Sequence, residues 1–152
     1  MCSSDLVVIA GHNDAVEKAM VLAKEAKAKR ALKLPVSVPS HSSLMTEAAS
    51  QLGEVLSSIE IKSPEIPVLH NVDGKSHASA DEIKQCLQQQ LHNPVLWVDT
   101  VNNIIAQSVD GIVECGPGKV LAGLNRRIDK SVTNYTIDTI ENFNTFKTAL
   151  GE

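Results

Sequence analysis

Short apolar runs that end at glycine or proline alternate along this chain with apolar residues spaced by three and four, which confines it to an α/β fold with a largely parallel sheet. Leu6 to Ala10 and Ala31 to Val38 read as strands flanking a helix. That helix would start at an Asp14-x-x-Glu17 capping box and run through Lys27, with Val16, Ala19, Met20, Ala23 and Ala26 on one face. A second helix opens at Ser42 or Ser43 and buries Leu44, Ala48, Leu52, Val55 and Ile59. Ile66 to Val72 reads as a strand, and Ala80 to Leu91 as a helix on Ile83, Leu87 and Leu91. Beyond Pro94 a further helix turns Trp97, Val101, Ile104 and Ile105 inward. Gly111 to Cys115 and Asn134 to Ile137 are strands on either side of a helix marked by Val120, Leu121, Leu124 and Ile128. Ile140, Phe143, Phe146 and Leu150 mark the terminal helix.

Charge and cysteine usage narrow the function classes. Fourteen basic residues against 18 acidic ones give a net charge of −4, which offers no field for a nucleic-acid backbone or an anionic membrane. The apolar runs are too short and too interrupted for a bilayer span or a secretory signal, so a cytoplasmic location is expected. Cys2, Cys86 and Cys115 are odd in number and form no C-x-x-C pair, as expected of reduced thiols. Met1 to Asp5 has no periodicity and reads like translated sequencing adapter ahead of the strand-like run, so a non-native start is expected there.

Three stretches carry a resemblance. They are Leu34-Pro35-Val36-Ser37-Val38-Pro39-Ser40-His41-Ser42-Ser43-Leu44-Met45, Gln90-Leu91-His92-Asn93-Pro94-Val95-Leu96-Trp97 and Gly116-Pro117-Gly118-Lys119-Val120-Leu121-Ala122-Gly123-Leu124. In order and spacing they resemble the C-terminal portion of the malonyl-CoA:acyl carrier protein transacylases, from Val7 onward. The resemblance implies the C-terminal part of a hydrolase-like parallel-sheet acyltransferase domain over residues 39 to 152. Residues 1 to 38 would be the second half of a ferredoxin-like small subdomain. It also implies an acyltransferase that passes a malonyl group from CoA to the phosphopantetheine thiol of acyl carrier protein by a ping-pong acyl-serine mechanism, with no cofactor. His41 would be the acid-base residue, placed beside the positive end of the following helix, and Gln90 its orienting partner, mainly through its backbone carbonyl. His92 departs from the tyrosine often found before Asn-Pro in such enzymes. The 152 residues hold neither a G-H-S-x-G elbow nor the arginine for the malonyl carboxylate, so this chain reads as a fragment that is inactive alone.

Other motifs fit less well. Cys115-Gly116-Pro117-Gly118-Lys119 has Val113 where a phosphate loop needs its first glycine, and Val120 follows the lysine. Gly74-Lys75-Ser76-His77-Ala78 fails as the same loop at Leu69 and as a nucleophile elbow at Ala78. Lys29, Arg30, Arg126, Arg127 and Lys130 are candidate contacts for an acidic carrier protein, or simply a solvated face. A non-catalytic carrier-protein interaction module and a nucleotide-binding α/β module stay open as rival readings.

Overall fold

The computed structural model describes residues 6–151. The expectation for Met1 to Asp5 therefore lies outside the described residues. The chain divides into a unit spanning Val8–Leu96 and a second that contains the residues from Trp97 onward.

In the first unit, α1 (Asn13–Glu25) forms where the apolar stripe predicts it. Val16, Ala19, Met20 and Ala23 are its half-buried residues, while Ala26 lies beyond the helix and is exposed. The capping box does not form: His12 occupies the N-cap, no side chain caps the helix, and Asp14 sits in the first turn. There its charge still favours the positive end of the helix. The flanking strands do not form either. Leu6 to Ala10 and Ala31 to Val38 run without ladder pairing, and Val7, Val8, Leu32 and Val36 are strongly exposed. A strand exists only by exchanging backbone hydrogen bonds with a neighbour, and neither segment finds one among the described residues.

A single 3₁₀ turn (Ser43–Met45) leads into α2 (Thr46–Ser57), which packs on α3 (Ala80–Gln89). The buried face of α2 is rotated from the one expected. Ala49 and Leu56 are buried, whereas Leu44, Val55 and Ile59 are exposed and Ala48 and Leu52 are half-buried. Because the 3₁₀ turn winds more tightly than an α-helix, a 3.6-residue period carried through from Leu44 points to the wrong side. On α3, Ile83 and Cys86 are buried, and Leu87 and Leu91 only half so. The helix stops at Gln89, two residues short of the reading. Between α2 and α3 the expected strand Ile66 to Val72 shrinks to one antiparallel bridge, Leu69 with Ser76, closing a turn at Gly74.

The second unit follows its sequence pattern more closely. It runs α4 (Trp97–Ile105), β1 (Gly111–Glu114), α5 (Val120–Ile128), β2 (Thr133–Thr136) and α6 (Ile140–Ala149). The strands pair in parallel, Gly111 with Thr133 through Glu114 with Thr136, with α5 as the crossover that parallel pairing requires. Val98, Val101, Ala122 and Asn125 are buried between α4 and α5. The Phe146 ring of α6 meets Tyr135 of β2 at 5.3 Å between centroids.

Candidate active site

His41 is held from both sides. Ser42 Oγ donates to the Pro39 carbonyl at 2.7 Å, closing a tight turn around the histidine, and Met45 N donates to the Ser42 carbonyl to start the helical run. Inside that turn His41 takes a left-handed backbone conformation, φ 62°. From there its backbone N–H reaches the Leu91 carbonyl at 2.9 Å. Its ring Nδ1 lies 2.8 Å from the Gln90 carbonyl oxygen and 3.2 Å from that of Asn93. Carbonyl oxygens only accept, so Nδ1 carries the hydrogen and donates to both, leaving Nε2 as the basic nitrogen of the neutral ring. The residue is exposed.

The acceptors come from the end of α3. Gln90 is the C-cap, its N–H bonded to the Cys86 carbonyl, so its own carbonyl is one of those a helix end leaves without an intrahelical partner. Asn93 folds back on the same end, with its backbone N–H and its Nδ2 both donating to the Gln89 carbonyl. Pro94 then forces Asn93 away from helical geometry and ends the turn. The structure thus brings His41 and Gln90 together, and it adds Asn93, which the sequence reading quoted for its motif without assigning it a contact. The Asn-Pro pair was the available signal. The neighbouring His92 has a buried Nδ1 with no hydrogen-bond partner among the described residues.

At both glycine motifs, backbone amides are taken up by the chain itself. At Glu114-Cys115-Gly116-Pro117-Gly118, the Glu114 carboxylate accepts from the N–H groups of Leu121 at 3.1 Å and Ala122 at 2.8 Å. The anion-binding end of α5 is therefore filled by the chain's own carboxylate. Sequence reasoning passed over Glu114, although an acidic residue closing a strand before a glycine turn was the signal. At Gly74, the loop amides turn inward: Gly74 N donates to the His70 carbonyl and Lys75 N to Asp73 Oδ1. The basic candidates are exposed. Arg126 and Arg127 lie in the last turn of α5, where they complement the helix dipole, and Lys29 and Arg30 follow α1.

No family model matches the chain. Individual proteins do. Over 127 residues it is 50% identical to the malonyl CoA-acyl carrier protein transacylase of Escherichia coli strain K12, a match that covers 84% of this chain and 41% of that protein. The chain is a homologue of the malonyl-CoA:acyl carrier protein transacylases. Solved transacylase structures agree. The enzyme from Xanthomonas oryzae superposes with a TM-score of 0.89 at 42% identity, covering 91% of this chain and 44% of that one. A malonyl-transacylase in complex with a type II PKS acyl-carrier protein superposes with a TM-score of 0.86 at 45% identity, covering 89% and 44%. The chain thus spans less than half the length of the transacylases it matches. The α/β class with parallel pairing is the class of these relatives' fold. Among the described residues, no helix is long and apolar enough to cross a membrane.

Proposed function

We propose that this chain supplies the acid-base part of a transacylase that moves a malonyl group from CoA to the phosphopantetheine thiol of acyl carrier protein. The observation that carries the proposal is the His41 ring, fixed in one tautomer by the Gln90 and Asn93 carbonyls with Nε2 left to exchange protons. In the first half-reaction Nε2 takes the proton from a serine hydroxyl as it attacks the malonyl thioester. It then gives that proton to the departing CoA thiolate. In the second half-reaction it takes the proton of the carrier-protein thiol and returns it to the serine. The serine belongs to the part of a transacylase that this chain does not span. None of the serines here stands in a G-x-S-x-G elbow. Gln90 and Asn93 act as positioning residues through their backbones, and the reaction needs no cofactor.

Two finer statements belong to the same proposal. Lys29, Arg30, Arg126 and Arg127 are exposed cations suited to an acidic carrier protein. Residues up to 38 belong to a small subdomain and those from 39 onward to the large one, with a cytoplasmic site of action. The inward-turned loop amides at Gly74 and the capped end of α5 count against a nucleotide site. A test is carrier-protein acylation by an enzyme assembled from this chain and the remaining part of a relative. Transfer that depends on both parts supports the reading, and no transfer from a folded assembly removes it.

A further inference from the structure

Behind the Gly74 turn lies a second cluster that the acyl-transfer reading does not use. Asp73 Oδ2 and His77 Nε2 are 2.7 Å apart, and a carboxylate oxygen of Asp73, a ring nitrogen of His77 and Cys86 Sγ on α3 all fall within 4.8 Å of one another. Cys86 is buried, whereas the side chains of His77 and Asp73 remain 19% and 33% exposed, so the cluster has a floor and an entrance.

We propose that Asp73, His77 and Cys86 form a binding site for a divalent transition metal, with Zn2+ the best fit. One carboxylate oxygen, one imidazole nitrogen and one thiolate sulfur suit Zn2+ or Co2+ and are a poor set for Ca2+ or Mg2+, which take oxygen ligands. Three protein ligands leave one tetrahedral position to water. Bond lengths of about 2.0–2.3 Å set ligand-to-ligand edges of about 3.5 Å. The Asp73–His77 pair therefore opens by under an ångström as the metal replaces the hydrogen between them, while Cys86 closes by up to roughly 1.3 Å. Binding forms the metal–sulfur bond and breaks the S–H bond, releasing that proton to solvent, while the hydrogen between His77 and Asp73 moves to Nδ1 of the neutral ring, on the Glu82 side, and frees the Nε2 lone pair for the metal.

The surroundings already hold these ligands as metal ligands are usually held. Asp73 Oδ1 accepts from Lys75 N, which aims Oδ2 at the site. The second nitrogen of His77, Nδ1, faces Glu82 Oε2 at 3.8 Å, the place of an outer carboxylate that fixes a ligating imidazole. His70, itself buried, packs its ring against His77 at 5.6 Å between centroids and limits its swing.

The test uses the full chain with Cys2→Ser and Cys115→Ser, so that Cys86 is the one remaining thiol. Titration with Co2+ should give stoichiometric binding, the intense visible bands of a tetrahedral ion and a thiolate-to-cobalt charge-transfer band, with Zn2+ displacing it. Cys86→Ser should abolish the charge-transfer band. His77→Gln and Asp73→Asn should weaken binding by at least the roughly tenfold that loss of an outer-shell partner costs. His12→Gln should leave binding unchanged, and circular dichroism of each variant separates ligand loss from unfolding. If Cys86→Ser unfolds the chain, protection of Cys86 from alkylation by Zn2+ in the parent reads the same contact. Absence of stoichiometric binding, a Co2+ spectrum without the charge-transfer band, or binding unmoved by His77→Gln in a folded variant overturns the proposal.

Discussion

At φ 62° the backbone of His41 occupies a region that costs a residue with a Cβ about 1–3 kcal/mol, and histidine is among the side chains that enter it more often than most. The conformation points the backbone N–H at Leu91 and Nδ1 at Gln90 and Asn93 together. Two substitutions separate strain from contact. His41→Ala and His41→Gly lose the same ring bonds, but glycine adopts this conformation freely, so the glycine variant should be the more stable of the two by about 1 kcal/mol in urea unfolding. Equal midpoints would mean that the turn relaxes once the ring is gone. Because the Gln90 contact runs through its carbonyl, Gln90→Ala should keep acyl transfer within a few-fold of the parent in an assembled enzyme. A loss as large as that from removing His41 would assign the work to the side chain. A histidine ahead of a serine-rich helix start was visible in the sequence, as was the Asn-Pro pair. The convergence of the two was not, since the residues lie 49 and 52 positions apart and only folding brings them together.

Helix-scale packing tests the rotated face of α2. Leu56→Ala should cost about 2–4 kcal/mol through a buried cavity, and Val55→Ala, exposed to solvent, about 0.5 kcal/mol or less. The reverse order in denaturant midpoints would restore the face read from Leu44. At the start of α6, the Asn142 side chain donates to Asp138, holding its carboxyl below its ordinary value against an opposing burial effect and with help from the Lys119 charge. A carboxyl lowered on folding adds stability above its unfolded value of about 3.9 and loses it as pH falls through the folded one. Protection of the amides in the first turn of α6, taken relative to their intrinsic exchange rates, should therefore fall below about pH 4, and Asp138→Asn should remove that pH dependence. In the second unit the extent of α5 was legible from Gly118 ahead of it and from Val120 to Ile128, but its buried face was not, since Ala122 and Asn125 are buried while Val120 and Leu121 are exposed. Each partner strand was read within one residue. The strands of the first unit were read from residue type alone, and type cannot supply a pairing neighbour. The Trp97 Nε1 bond to buried Asn125 at 3.0 Å, linking α4 to α5, had no local signal at all.

Taken as a whole, the chain holds the His41 ring against two carbonyls and has no serine in a G-x-S-x-G elbow. Labelled malonyl-CoA should leave the isolated chain without a covalent malonyl group by intact mass. An adduct on Ser76 or any other serine would place a nucleophile within these residues. Exposed Val7, Val8, Leu32 and Val36 give the isolated chain apolar surface for self-association or dye binding. Adding the remaining part of a relative should reduce both. The most direct measurement is the initial rate of malonyl transfer to holo acyl carrier protein by an enzyme assembled from this chain and that part, with and without His41→Ala. A fall of about two to four orders of magnitude is predicted from losing a positioned acid-base group, with the acyl carrier protein and the assembly otherwise unchanged. A rate within a few-fold of the parent would contradict the assignment of proton transfer to His41.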